Sequence, residues 1–288
     1  MKYFLNQLPT TIFICGIFLA LTMQVSAESL KDTLKAAKGG KYVTPTAAEL
    51  YAAEVLFIRT LKGEQTPALK KAWQTQSFIM RTLRQNGTAF TVIQETKKKR
   101  TGRGFYLFRQ QKSSPIALQA PHSYKDLYTG TIARKLMEKG KYVAAGWNTV
   151  KRNYADMAHL DNTIFQAFGR AFAKQYPTGM IFQLHGFVQG KRNTRAGKTA
   201  DLILSGTTIT PQQRVLGIGK CLKSKLARFT VRIYPYEISE LGGTTNSNAK
   251  DLRARGFNRF FHIEMSKPLR EKLRGDNQVR RQLSDCLK

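Results

Sequence analysis

The chain holds four histidines, and two of them stand in matching places. His122 closes the apolar run Ile116–Pro121. His185 closes Met180–Leu184 and is followed by Gly186, so both imidazoles are expected at strand ends beside turns. Open α/β sheets build their sites at such ends. Asp126 comes four residues after His122, on the segment entering the next expected helix, within reach of the same metal. Two neutral imidazoles and a carboxylate, with one position left for water, are a usual ligand set of a hydrolytic zinc site. A single buried histidine is more often satisfied by a backbone carbonyl. The signal is therefore the coincidence of two strand ends with an acid.

Glu264 supplies a second chemical element. It follows the apolar run Phe260–Ile263 and precedes Met265-Ser266, which places a carboxylate at the far end of a buried strand, where it is costly unless used or paired. A hydrolytic metal site needs a base to take a proton from water and an acid to return it to the leaving nitrogen, and one Glu can do both. The competing reading is an ion pair with Arg270 or another nearby arginine.

These residues need a frame, and the punctuation of the sequence suggests one. Residues 28–45 lack a clear period and read as a loose arm. Thr46-Ala47-Ala48-Glu49 has the spacing of a capping box, and Thr66-Pro67 offers a second helix start with Asn86-Gly87 as its stop, giving an N-terminal helical segment up to residue 87. From residue 88 strand-like runs follow: Phe90–Gln94, then the basic turn Lys97–Gly104, then Phe105–Phe108 and Pro115–Ala120. Helices are expected over Thr129–Lys139, Asn162–Gln175 and Pro268 to the C-terminus. Further strands are expected over Gly179–Leu184, Arg228–Tyr234 and Arg259–Ile263. The Gly/Asn/Thr-rich segments 188–200 and 242–250 read as loops. The alternation implies an α/β domain, one mixed sheet flanked by helices, over residues 88–288.

Length and composition agree with a folded domain. The 288 residues are 42% hydrophobic, enough for a sizeable core, while 48 Lys+Arg against 18 Asp+Glu give a net charge of +30. Such an excess points to anionic partners. Residues 1–27 combine Lys2, an apolar run from Ile12 to Met23 and Val25-Ser26-Ala27, the pattern of a cleaved signal peptide; the run is too short for a membrane span. The chain is accordingly expected to be exported, to a periplasmic or extracellular location, with no transmembrane span after cleavage. Cys15 would leave with the signal peptide. Cys221 and Cys286 would remain, as a disulfide or as two buried thiols.

Several ordered motifs resemble one family. Ala120-Pro121-His122-Ser123 with Asp126 and Thr129, Arg152 with Asp156-Met157-Ala158-His159, Phe182–Phe187, and Ile263-Glu264-Met265-Ser266 with Leu269-Arg270 look like N-formylglutamate amidohydrolase-like proteins, within the wider zinc carboxypeptidase and succinylglutamate desuccinylase grouping. The resemblance spans roughly residues 88–288 and implies a zinc carboxypeptidase-like (phosphorylase/hydrolase-like) fold. It implies that His122, Asp126 and His185 bind one Zn2+. Glu264 would be the general base and acid, and Arg152 would bind a substrate carboxylate or polarise the scissile carbonyl. Here the first motif is His-x-x-x-Asp, where the carboxypeptidases have His-x-x-Glu. Asp156 and His159 would orient Arg152 or form a ligand pair of their own. The orienting role is favoured, because metal-binding histidines and substrate arginines need orienting carboxylates. Asn246 would touch substrate.

Two functions follow. One is an exported zinc hydrolase of an amide bond in an acidic peptide or other small anionic substrate, of glutamyl or cell-wall peptide type. The other is a non-catalytic binder of anionic envelope polymers on a degenerate hydrolase fold. The retained set His122, Asp126, His185 and Glu264 favours the enzyme. A nucleic-acid reader is disfavoured, because the basic stretches show little aromatic interleaving and no binding motif of that kind occurs.

Overall fold

The computed structural model describes residues 28–288; the expected signal peptide, with Cys15, lies outside them. Ten helices and nine strands alternate along these residues. α1 (Leu30–Ala36), α2 (Ala47–Leu61) and α3 (Pro67–Thr75) come first. β1 (Phe78–Gln85), β2 (Thr88–Glu95), β3 (Phe105–Arg109) and β4 (Ser114–Ala120) follow, then α4 (Thr129–Lys139), β5 (Tyr142–Trp147), α5 (Ile164–Gln175) and β6 (Met180–Gly186). The last part holds α6 (Arg195–Thr199), β7 (Leu202–Ser205), α7 (Gln213–Lys225), β8 (Val231–Ile233), α8 (Ser247–Ala254), β9 (Phe260–Met265), α9 (Lys267–Gly275) and α10 (Asn277–Cys286).

All nine strands join one mixed sheet in the order β1-β2-β3-β5-β4-β6-β9-β7-β8. The centre, β5-β4-β6-β9, is parallel, while β1, β2 and β3 add an antiparallel meander and β7 runs antiparallel to β9. Successive strand residues face opposite ways, so the sheet has two cores. Leu118, Phe182 and Phe261 face α4, α7, α9 and α10. Ala117, Ile181 and Phe260 face α2, α3, α5 and α8. The α/β architecture with one mixed sheet flanked by helices is as expected.

Local chemistry explains both the agreements and the departures. The capping box before α2 is formed: Glu49 N donates to Thr46 Oγ1 at 3.2 Å, and Thr46 N donates to Glu49 Oε2 at 2.8 Å. Asn86-Gly87, expected as a helix stop, is instead the turn of the β1–β2 hairpin. Both residues have positive φ (50° and 73°), as a tight hairpin turn between right-twisted strands requires. The sheet therefore begins at Phe78. Residues 28–45 are not a loose arm: Ser29 caps α1, and the segment after it is held by Gly39 N to Thr149 O (3.0 Å) and Val43 N to Thr101 O (3.0 Å).

The expected C-terminal helix is two helices, because Asp276 leaves helical geometry and its carboxylate accepts from the N–H groups of Gln278 and Val279 at the start of α10. The segment 242–250, expected as a loop, contains the start of α8, with Asn246 as its cap. Cys221 on α7 is disulfide-bonded to Cys286 on α10. Among the described residues no helix is long and apolar enough to cross a membrane.

Candidate metal centre

The site grows from the carboxyl ends of the three central parallel strands. On β6, Phe182 and Leu184 enter one core, so Gln183 and His185 face the other way; on β9, Phe261, Ile263 and Met265 alternate in the same manner with His262 and Glu264. The parallel register sets Gln183 beside His262 and His185 beside Glu264. His122 follows the end of β4, and Asp126 sits on the short turn that leads to α4, its N–H donating to His122 O at 2.9 Å. The side chains of His122, Asp126, His185, His262 and Glu264 are all buried.

Asp126 is the hub. Its Oδ2 lies 3.1 Å from His122 Nδ1 and 3.7 Å from His185 Nδ1, and accepts the N–H of Gly186 at 3.0 Å. Their other ring nitrogens face orienting groups. His185 Nε2 lies 2.7 Å from Gln183 Oε1, which also accepts from Asn246 Nδ2 at 2.5 Å. Gln183 Nε2 in turn donates to Gln119 Oε1 at 2.8 Å. An amide oxygen fixes the proton of His185 on Nε2 and leaves the Nδ1 lone pair toward Asp126, the arrangement of a metal-ligating histidine. His122 Nε2 lies 2.7 Å from Asp156 Oδ1, and the other oxygen of Asp156 accepts from Arg152 Nε at 2.8 Å.

The charges follow from these contacts. Burial disfavours a charged His122, but its hydrogen bonds to Asp126 and Asp156 outweigh that and hold its pKa above the ordinary value. Burial also acts to raise Asp156, and the bond to His122 with the charges of His122 and Arg152 pulls it well below the carboxylate range. For His185, burial and then the neighbouring His262 and His122 push the pKa far down, so its ring is neutral. His262 falls to about 3, from burial first and then from His122. Glu264 rises to about 8, from burial and then from the Asp126 charge, against the opposing pull of His122, Arg192 and Arg270.

This donor set fits a divalent cation. His122, Asp126 and His185 offer ligand atoms all within 4.8 Å of one another, and so do His185, His262 and Glu264. Glu264 Oε2 and His262 Nδ1 are buried with no hydrogen-bond partner, which is costly for closed protein and natural where an ion or water belongs. Arg270 does not pair with Glu264. It donates instead to the carbonyls of Met265, Leu127 and Phe187, at 3.0, 2.5 and 3.1 Å, and so ties together the two segments that carry Asp126 and His185. Gly186 permits this packing, since a Cβ there would lie 2.6 Å from the Arg270 guanidinium.

Arg152 is partly exposed, with its side chain 39% accessible, at the edge of the cluster. His159 is joined to Asp156 through the backbone, its N–H donating to Asp156 O, while the residue itself is exposed. Asn246 spends its amide inside the protein: Oδ1 accepts from Ala249 N and Nδ2 donates to Gln183. Cys221 and Cys286 lie away from the site, on α7 and α10. Sequence reasoning missed His262. The signal was its position two residues before Glu264 on a strand, which places both on one face.

No family model matches the sequence, and no curated protein matches it. Among solved structures, the chain is similar to N-formylglutamate amidohydrolase from Ralstonia eutropha at 13% identity, over 65% of this chain and 96% of that one, with a TM-score of 0.46. It is also similar to a metallo-carboxypeptidase from Burkholderia cenocepacia at 12% identity, over 84% of this chain and 68% of that one, with a TM-score of 0.35. Both are of the grouping that the motifs resemble, at low sequence identity.

Proposed function

We propose that the protein is an exported zinc-dependent hydrolase that cleaves an amide bond in a small acidic substrate. The observation that carries this reading is the convergence of His122, Asp126 and His185 with Glu264, whose Oε2 is buried with no hydrogen-bond partner, at one end of the sheet. A bound zinc ion would supply an acidified water and an electrophile for the amide carbonyl. Gln183 and Asp156 orient the two imidazoles through the nitrogens turned away from the metal position. Glu264 takes the proton of the attacking water and returns it to the leaving nitrogen. Burial raises its carboxyl to about 8 without a metal, and the charge of a bound cation would bring it back toward a neutral working pH, where one carboxyl can serve as base and then as acid. Arg152, partly exposed and anchored by Asp156, receives the carboxylate of the substrate through its planar fork. The net charge of +30 favours the approach of such anions.

The test uses metal analysis beside turnover of acidic, γ-glutamyl and muropeptide substrates. Glu264→Gln is expected to keep one zinc per chain and lose activity by about 100-fold or more, the scale of a general acid–base contribution. His122→Ala and His185→Ala are expected to lose the zinc itself. Near-normal turnover by Glu264→Gln would remove Glu264 from the mechanism.

A further inference from the structure

At the other end of α4 the protein has a second concentration of charge that the hydrolytic site does not use. α4 leaves the loop after Asp126 and runs 11 residues to Lys139, about 15 Å along its axis. It ends beside α10, and between them lies a cavity of about 220 Å³ lined by Lys135, Lys139, Arg280, Arg281 and Ser284. Nearby acids are committed elsewhere: Glu138 pairs with Arg134, and Asp276 caps α10. Arg280 is 5% exposed. It spends Nη1 on the carbonyls of Leu273 and Arg274 and Nη2 on Asn277 Oδ1, while its Nε is buried with no hydrogen-bond partner.

We infer that this cavity is a binding site for a phosphate group. Four cations around so small a volume exceed what one carboxylate neutralises, whereas a phosphate brings roughly −1.5 to −2 charges and several acceptor oxygens for Lys and Arg donors. The crowding is already felt by Lys135, whose pKa is lowered by burial and then by Arg280 and Arg134. Because α4 runs back from the catalytic end of the sheet, a ligand here does not compete with substrate. Free phosphate and a phospholipid headgroup share the recognising chemistry.

The experiment is a calorimetric titration of inorganic phosphate into the full chain at constant ionic strength, with chloride as the background anion. Saturable binding is expected, weakened at least tenfold by Lys135→Gln combined with Arg281→Gln, and less by Lys139→Gln, which alters an exposed residue and guards against loss of fold. Phosphatidic acid vesicles, whose headgroup is a phosphate monoester, form the second arm. Vesicle binding that phosphate displaces assigns the headgroup as the source, and phosphate binding without preference for these vesicles over neutral ones assigns the free anion. No saturable phosphate binding by the wild type overturns the inference. Equal binding by variants that keep the wild-type melting temperature does so as well.

Discussion

Replacing Asp156 by Asn keeps the side chain's shape and removes its charge, which makes it a clean probe of how the candidate metal centre is held. In the structure one oxygen of Asp156 meets His122 Nε2 at 2.7 Å and the other meets Arg152 Nε at 2.8 Å. Carboxylates that orient a metal-binding imidazole are worth about 10–100-fold in metal affinity, or about 1.4–2.7 kcal/mol. The zinc Kd of Asp156→Asn, measured at pH 8 against a chelating indicator, should rise by about that factor. A second effect opposes the first. Asp156 also helps to hold a proton on His122, whose pKa is raised, and that proton must leave Nδ1 before a metal can bind there. The wild type is therefore handicapped more than the variant as pH falls, and the ratio of the two Kd values should shrink between pH 8 and pH 6. A ratio within twofold of unity at pH 8, with an unchanged melting temperature, would refute the orienting role. Complete loss of zinc in Asp156→Ala, equal to that in His122→Ala, would make Asp156 a ligand and refute it from the other side.

Three further outcomes concern stability. Thr46→Ala removes the cap of α2 and should cost about 1 kcal/mol in chemical denaturation. Glu54→Gln breaks the contacts with Arg170 (2.7 Å) and Lys174 (2.6 Å) and should cost about 1.5–3 kcal/mol at pH 7. Burial acts to raise the Glu54 pKa, but the bonds to Lys174 and Arg170 outweigh it and lower it from 4.5; the contribution is thus complete above the unfolded value, fades as pH drops through the folded one, and the variant should converge on the wild type in acid. Reduction of Cys221–Cys286, which are separated by 65 residues, should lower stability by about 4 kcal/mol on chain entropy, read as a shift of the urea midpoint.

The sequence was most readable where a polar residue interrupts an apolar run. His122, His185 and Glu264 stood out because each ends or nearly ends a strand whose other residues must be buried. His262 was hidden by the same run, since a histidine among phenylalanines reads as core until the alternation toward Glu264 is followed. β5 carries no strand signal in the sequence because Tyr142–Trp147 is buried on both faces and shows no alternation. α7 carries Gly217 and Gly219, which weaken its helical signal. Gly219 is there for packing, since a Cβ would lie 2.3 Å from Ile233. β1 reads in sequence as the tail of a helical segment because Asn-Gly can close a helix or a hairpin, and only pairing with β2 decides between them. The links from Asp156 to His122 and from Gln183 to His185 depend on tertiary proximity and have no local signature.

The position of β9 makes the candidate site wait for residues 260–265. This strand, residues 260–265 of 288, lies between β6 and β7 and bonds to both. Until it arrives, β1 to β6 and β7 to β8 are separate pieces with bare edges, joined only through contacts far apart in sequence and slow to form. A chain released or held before Phe260 owns His122, Asp126 and His185 but has no Glu264. On this reading it could gather a metal and still be unable to move the proton that hydrolysis requires. If the protein is the hydrolase proposed above, a molecule that stops short of β9 is silent by topology alone.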